Sequence, residues 1–323
     1  MKTRSYHIIC IFILLTSFAC NSPSYNKDFI LDEIDLIPEG VAVDFRTGIV
    51  YIGSTYKRKI VQITPNGTVS DFITQEQDSV WSILGMEVDE QNGILWANTA
   101  HIHEVMPLIN PLPNKDWLTT ISAFDLKKKT LIKEYQLHEP ASAFNDLTIS
   151  SNGTVFATES ANNEIYWINK QNDSLTLFLE LKEYHFPNGI TYAKKQDVLF
   201  VSTTEGILKI AIKSRNYTLL KVSDGINVKN IDGLALHKNY LIGHQSSRVS
   251  KFYLNEDLTE ITKVEVLDSG NDFDASTTGE VSKNDYYYIV NSQIQSGIDF
   301  KNKITKPLDS LEKVIIRKKR LDD

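Results

Sequence analysis

Pro38-Glu39-Gly40-Val41-Ala42-Val43-Asp44 is the stretch on which the fold turns, because most of it returns five more times along the chain. Its last six residues reappear as Leu84-Gly85-Met86-Glu87-Val88-Asp89, Asn145-Asp146-Leu147-Thr148-Ile149-Ser150, Asn188-Gly189-Ile190-Thr191-Tyr192-Ala193, Asp232-Gly233-Leu234-Ala235-Leu236-His237 and Thr278-Gly279-Glu280-Val281-Ser282-Lys283. Five of the six copies carry Gly in second place, and their first positions are 45, 61, 43, 44 and 46 residues apart. A period of that length predicts a propeller or another closed array of repeats rather than a string of unrelated domains.

Each copy opens a short strand that alternates apolar residues. A turn follows, and then a second strand rich in aromatic and β-branched residues, read at 49–54, 94–99, 154–158, 197–202, 240–243 and 286–291. Thr47-Gly48, Asn92-Gly93 and Asn152-Gly153 supply the turn chemistry that makes these pairs hairpins. Two further strands per unit, as at 59–64 with 68–73, bring the count to four, the content of a propeller blade. No long segment has a 3.6-residue apolar period, so helix should be scarce. The expected fold is all-β: a six-bladed β-propeller with four-stranded blades. The last unit has only one further strand, at 313–321, while residues 29–37 form a strand that belongs to no unit. If that N-terminal strand completes the last blade, the ring closes and no sheet edge is left open.

At the N-terminus, Lys2 and Arg4 precede the apolar run 8–15, which is too short to span a bilayer and reads as an export signal. Ser17-Phe18-Ala19-Cys20 resembles a bacterial lipobox, so cleavage before Cys20 and its lipidation are expected, with a plain cleaved signal as the alternative. The domain reading is a signal peptide at 1–19, a short tether at 20–28 and one propeller over 29–323. This places the protein in the cell envelope as a periplasmic or outer-membrane lipoprotein, held to the membrane by its anchor. Cys10 leaves with the signal, so Cys20 has no partner for an internal disulfide. Loss of Lys2 and Arg4 moves the formal charge from -7 to -9, a poor balance for binding nucleic acid. The sequons at Asn66 and Asn152 read as turns.

Inner strands of a propeller line a central channel, so the first residues of the six copies should form a ring around one axis. Four of them are oxygen donors: Glu39, Asn145, Asn188 and Asp232. Two carboxylates and two amide oxygens suit a hard divalent cation, Ca²⁺ before Mg²⁺ or Mn²⁺, and argue against Zn²⁺ or Cu²⁺. The plainer alternative is that these side chains cap strand ends by bonding backbone.

At Pro38-Glu39-Gly40-Val41, Phe144-Asn145-Asp146, Phe186-Pro187-Asn188-Gly189-Ile190 and Ile231-Asp232-Gly233-Leu234 the chain resembles the six-bladed propellers of the regucalcin, gluconolactonase and luciferin-regenerating-enzyme family, relatives of paraoxonases and diisopropylfluorophosphatase. The resemblance covers about residues 36–293. It implies that Glu39, Asn145, Asn188 and Asp232 bind one catalytic metal at the channel mouth, with Asp232 also the base or nucleophile. Leu84 and Thr278 then stand in the two units that supply no ligand and face the substrate. Gluconolactonases commonly carry an Arg two residues before the second-motif Asn to hold a sugar acid; Ala143 stands there in this chain.

The 61-residue gap holds an insertion around 103–117 that should overhang the metal, with Met106 in an apolar, proline-stiffened stretch fit for a lid or pocket wall. His101 and His103 lie at its root and could relay a proton, or be ordinary loop histidines. His244 could face the channel as a substrate contact, and Glu280 could point into the channel or be a strand-surface carboxylate. Two functional expectations follow: a metal-dependent hydrolase of lactones or esters, or a non-catalytic propeller that binds a ligand or partner beside a structural cation. No motif of a strictosidine-synthase-like condensing enzyme is present. Substrate identity and oligomeric state are not encoded legibly.

Overall fold

The structure, a computed structural model, describes residues 26–75, 77, 80–101, 118–139, 141–299 and 304–321. The signal segment, Cys20, and the insertion with His103 and Met106 lie outside the described residues.

Six antiparallel sheets stand around one axis. In the first, the strand Pro38–Asp44 lies innermost and pairs outward in order with Ile49–Ser54, Ile60–Ile63 and Val69–Ile73. The other echoes form the inner strands Ser82–Asp89, Phe144–Ile149, Ile190–Ala193, Leu234–His237 and Gly279–Ser282. Successive inner strands contact one another all the way round, and the sixth contacts the first. Thr277 Oγ1 donates to the backbone carbonyl of Glu39 at 3.3 Å across that closing seam.

The ring is closed as expected. Asn26–Leu31 pairs antiparallel with Val314–Arg320, Phe29 opposite Ile316, and so becomes the outer strand of the last blade. It is shorter at its far end than the stretch 29–37 read from sequence. Leu36 and Ile37, fully buried, instead carry the chain from the rim toward the axis, with a left-handed turn at Ile37 (φ 43°) that ends any strand. Arg317 clasps the closure: its guanidinium donates to Asp28 at 2.7 and 2.8 Å, to Asp268 at 3.0 Å and to Asp272 at 2.8 Å, joining the N-terminal strand and two blades.

Two features were not read from sequence. The fifth blade has an extra strand, Lys221–Val222, parallel to Glu260–Ser269, and the last blade carries a small ribbon of Ile298–Asp299 with Ile304–Thr305. Among the described residues there is no α-helix; a 3-10 turn is formed by Leu308–Ser310.

The apolar core is divided into layers between neighbouring blades. Val41, Val50 and Val61 of the first blade pack on Ile289, Val314 and Ile316 of the last, and Phe200 of the fourth packs near Leu241 and Phe252 of the fifth. Both faces of a middle strand are covered, so Ile49–Ser54 is buried at every position after the first. Near the axis the blades come closest. A Cβ on Gly40 would lie 2.0 Å from the Leu84 carbonyl oxygen, and one on Gly233 2.6 Å from that of Thr277. The recurrent Gly is therefore the price of six inner strands meeting around a narrow channel.

Candidate functional site

Glu39, Asn145, Asn188 and Asp232 line one cavity of about 10 Å³, together with Asp146, Thr277 and Thr278. That is room for a single water or ion. Each side chain is carried by the start of an inner strand or the turn just before it, held there by bonds between blades. The Gly189 N–H donates to the Asp232 carbonyl at 2.8 Å, and the Gly233 N–H to the Thr277 carbonyl at 2.7 Å. Thr158 Oγ1 donates to the Asn188 carbonyl at 2.7 Å.

Side-chain bonds orient the donors. Asn188 Nδ2 donates to Asp232 Oδ1 at 2.9 Å. Asn145 Nδ2 donates to Ser160 Oγ at 3.2 Å, which leaves its amide oxygen as the end available to a cation. Among the described residues, no Lys, Arg or His lines this cavity. Burial, then the charges of Asp232 and Asp146, pushes Glu39 up to about 8. Burial also lifts Asp146 to about 7, against the N–H groups of Ile190 and Leu147, and Asp232 to about 6, against the bond from Asn188. Three acids held together without a counter-charge make a place where a cation is stabilising. Among the described residues, no three Asp, Glu, His or Cys side chains are spaced to hold a metal by themselves. An ion in this cavity would thus need the amide oxygens of Asn145 and Asn188, and the mixed donor set fits a hard divalent cation.

The raised carboxylates set a pH dependence. Their folded-state values of about 8, 7 and 6 lie above the ordinary carboxylate range, so the cation-free folded chain holds protons that the unfolded chain releases. The associated stability is full below about pH 4 and is lost as pH rises toward about 8. We expect the melting temperature of chelated protein to fall by several degrees over that range, and millimolar Ca²⁺ to restore it near pH 8 but to do little near pH 5. A melting temperature indifferent to Ca²⁺ at both pH values would remove the cation from this cavity.

Asp146 belongs to the third echo, and the sequence alone does not single it out as a site residue. It occupies the place where the other five echoes carry Gly, and that departure was the available signal. Its Oδ1 accepts the Leu147 N–H at 2.9 Å and its Oδ2 the Ile190 N–H of the next blade at 3.1 Å. Gly85 makes room for it, since a Cβ there would lie 2.4 Å from Asp146 Oδ1.

Below this cavity the channel widens to about 200 Å³, lined among others by Asp146, Thr148, Glu87, Thr278 and Glu280. Of the two positions open to Glu280 in the sequence, it takes the channel and not the strand surface. Burial, then Glu90 and Asp146, raises it to about 8. Glu87, also missed, is raised by burial and by Glu280, and its Oε1 accepts the Ile149 N–H at 3.3 Å.

On the other side lies a cavity of about 280 Å³ that shares Asn188 and Asp232 with the small one. Phe186, Thr203, Asn230, Ile231, Ile294 and Gln295 contribute to its wall, and Asp232 is its one charged lining residue among the described residues. Phe186 is 54% exposed and adopts φ 52°, an unusual conformation for an aromatic residue, with its N–H bonded to Asn163 Oδ1 at 2.8 Å.

The remaining expectations fare differently. Thr278 lines both the small cavity and the channel below it. Leu84 is buried and presents its carbonyl to Gly40, lining none of these three cavities. His244, expected in the channel, is fully buried between the fifth and sixth blades: Nδ1 is 2.8 Å from Ser276 Oγ and Nε2 2.6 Å from the Tyr286 hydroxyl. Burial holds it down to about 3, so it is a neutral core imidazole. His101 is also buried, edge-on to the Trp81 ring at 5.1 Å, and lines none of the three cavities.

No protein-family model matches the chain, and no curated protein matches it in sequence. Solved structures do match in fold. A gluconolactonase from Xanthomonas campestris aligns over 88% of this chain and 86% of its own with a TM-score of 0.60 at 13% identity. Virginiamycin B lyase from Staphylococcus aureus aligns over 92% and 99% with a TM-score of 0.59 at 17% identity. The PQQ-bound aldose sugar dehydrogenase from Streptomyces coelicolor aligns over 92% and 99% with a TM-score of 0.58 at 11% identity. The chain thus shares a propeller fold with a gluconolactonase and with enzymes of other chemistries. At such identities the likeness is one of fold.

Proposed function

We propose that this propeller is a hydrolase of lactones or esters that depends on one divalent cation, Ca²⁺ in the first place and Mg²⁺ or Mn²⁺ in the second. The observation that carries the reading is the meeting of two carboxylates and two carboxamides, from four blades, at an ion-sized cavity that shares Asn188 and Asp232 with a larger one. Glu39, Asn145, Asn188 and Asp232 would hold the cation. When bound, it would supply Lewis-acid polarisation of the substrate carbonyl.

The protein's own part is proton transfer and positioning. Asp232, oriented by the Asn188 N–H, takes a proton from water as the water oxygen bonds to the acyl carbon. The acyl C–O bond then breaks, and the departing alkoxide oxygen receives that proton from Asp232. Thr203, Asn230 and Gln295 offer neutral hydrogen bonds to the substrate body, while Phe186, Ile231 and Ile294 cover its apolar part. With no cationic side chain in this lining among the described residues, and Ala143 in place of a sugar-reading Arg, an uncharged lactone or ester is favoured over a sugar acid lactone. The same absence keeps a second reading, a non-catalytic ligand-binding propeller with a structural cation. In either case the chain is read as exported and tethered through Cys20.

The test is a panel of neutral and carboxylated lactones and aryl esters, assayed with Ca²⁺ and with chelator. Hydrolysis of neutral members that chelation abolishes and Ca²⁺ restores is the expected result. Absence of turnover on every member, with Ca²⁺ shown to be bound, would select the binding propeller.

A further inference from the structure

The end of the propeller opposite the quartet is basic. Strands alternate in direction within each blade, so the turns after the first and third strands all gather at that end. Between the strand bounds these turns hold eleven Lys or Arg against five Asp or Glu, in a chain whose formal charge is -7. Lys194-Lys195, Lys238 and Lys283 occupy adjacent turns of the fourth, fifth and sixth blades, all exposed, and Lys127-Lys128-Lys129 form a further turn in the second. Asp44, Asp89 and Asp125 at the strand ends turn back to accept N–H groups of their own turns. An open groove of about 600 Å³ between the fourth and fifth blades is walled by Lys194, Lys195 and Lys238 over Leu236, Leu254 and Leu258, with Glu256 the only acid in its lining among the described residues.

The chain enters the fold at this same end. Asn26 pairs with Lys319 and Asp285 with Arg320, which sets the start of the N-terminal strand beside the turn of Lys283. Cys20, the expected lipid attachment point, lies six positions earlier in sequence.

We propose that this end is a docking face for the anionic headgroups of a phospholipid leaflet, with the Lys194, Lys195 and Lys238 groove seating a headgroup phosphate. A flat membrane meets only one end of the molecule. The quartet lies a strand length away, roughly 15–20 Å, beyond the ~8–10 Å over which salt screens charge, and Glu87 and Glu280, which lie nearer, line the channel rather than the outer face. Attraction at the basic end therefore survives the net negative charge of the whole, which long nucleic acid wrapping the body would not escape. The consequence is orientation: the quartet faces away from the bilayer, toward water-borne substrate.

The experiment uses the mature form of the protein, produced without the export signal at 1–19 and carrying Cys20→Ser, so that neither lipid nor the apolar signal contributes. Co-sedimentation is measured with vesicles of phosphatidylcholine alone and of phosphatidylcholine with phosphatidylglycerol. We expect at least about tenfold tighter partition onto the anionic vesicles, weakened by salt, and at least about tenfold loss in the triple variant Lys194→Glu, Lys195→Glu, Lys238→Glu. Its melting temperature should stay that of the parent, and Lys283→Glu alone should give a smaller loss in the same direction. Equal partition onto both vesicles, or a triple variant that binds as the parent does, overturns the proposal. So does retention on duplex DNA or inorganic phosphate without preference for anionic vesicles.

Discussion

Replacing Asp232 by Ala should lower kcat/KM for a neutral lactone or ester by at least about 10³-fold while the propeller stays folded. Asp232 is the carboxylate that the small and the upper cavities share, beside Asn188, and in the proposed reaction it holds the cation and carries the proton. Its Oδ1 is engaged by Asn188 Nδ2 at 2.9 Å, so the other oxygen is the one free to meet water. Asp232→Asn keeps the shape and removes the base, and should fall nearly as far. Asn188→Ala, which leaves the carboxylate unoriented, should cost less, on the order of 10- to 100-fold. Steady-state kinetics with Ca²⁺ in excess reads all three, alongside a melting curve that confirms the fold. Undiminished turnover in Asp232→Ala would end the proposed mechanism, even if chelation still abolished activity.

The largest effect on stability is expected at Gly40, beside a proposed ligand but with no chemical part of its own. Gly40→Ala places a Cβ 2.0 Å from the Leu84 carbonyl oxygen and 3.0 Å from the Met86 side chain. A backbone carbonyl in a paired inner strand cannot swing aside as a flexible side chain can, so the first and second blades must separate near the axis. We expect a loss of at least about 3 kcal/mol, or no folded protein at all, read by denaturant unfolding. Gly67 is the contrast. A Cβ there meets nothing within 4 Å, and the cost of Gly67→Ala comes only from its φ of 92°, about 1 kcal/mol. Equal stability of the Gly40→Ala and parent proteins would show that the inner strands are not held as closely as their backbone positions require.

Much of the architecture was legible in the chain because a propeller converts sequence period into angle. Copies about 45 residues apart become blades side by side, so a shared position in the repeat becomes a shared depth along one axis. The orphan first strand and the incomplete last unit likewise announced their pairing, although the strand runs Asn26–Leu31 and not 29–37, so that both limits were misread. Leu36 and Ile37 are as apolar as a strand, and nothing in their composition says that the backbone turns left-handed there.

The direction of individual side chains was less legible. Strand position alone does not say which of His244 and Glu280 faces the channel: His244, a channel candidate, turns away, and Glu280 turns in. A strand in a blade is covered on both faces, so polar and apolar residues no longer alternate in a way that separates channel from interblade layer. His244 finds Ser276 and Tyr286 in that layer, whereas Glu280 finds Glu87 across the channel.

From the residues alone came the repeat, the number of blades, the closure and the identity of four oxygen-bearing positions, since all of these are written as spacing. Only the folded chain decided that Asp146, Glu87 and Glu280 join the axis, that His244 leaves it, and that the lysines of separate turns share one end. Those outcomes depend on distances between groups in different blades, and such distances, with the burial and charge that follow from them, do not exist until the ring has closed.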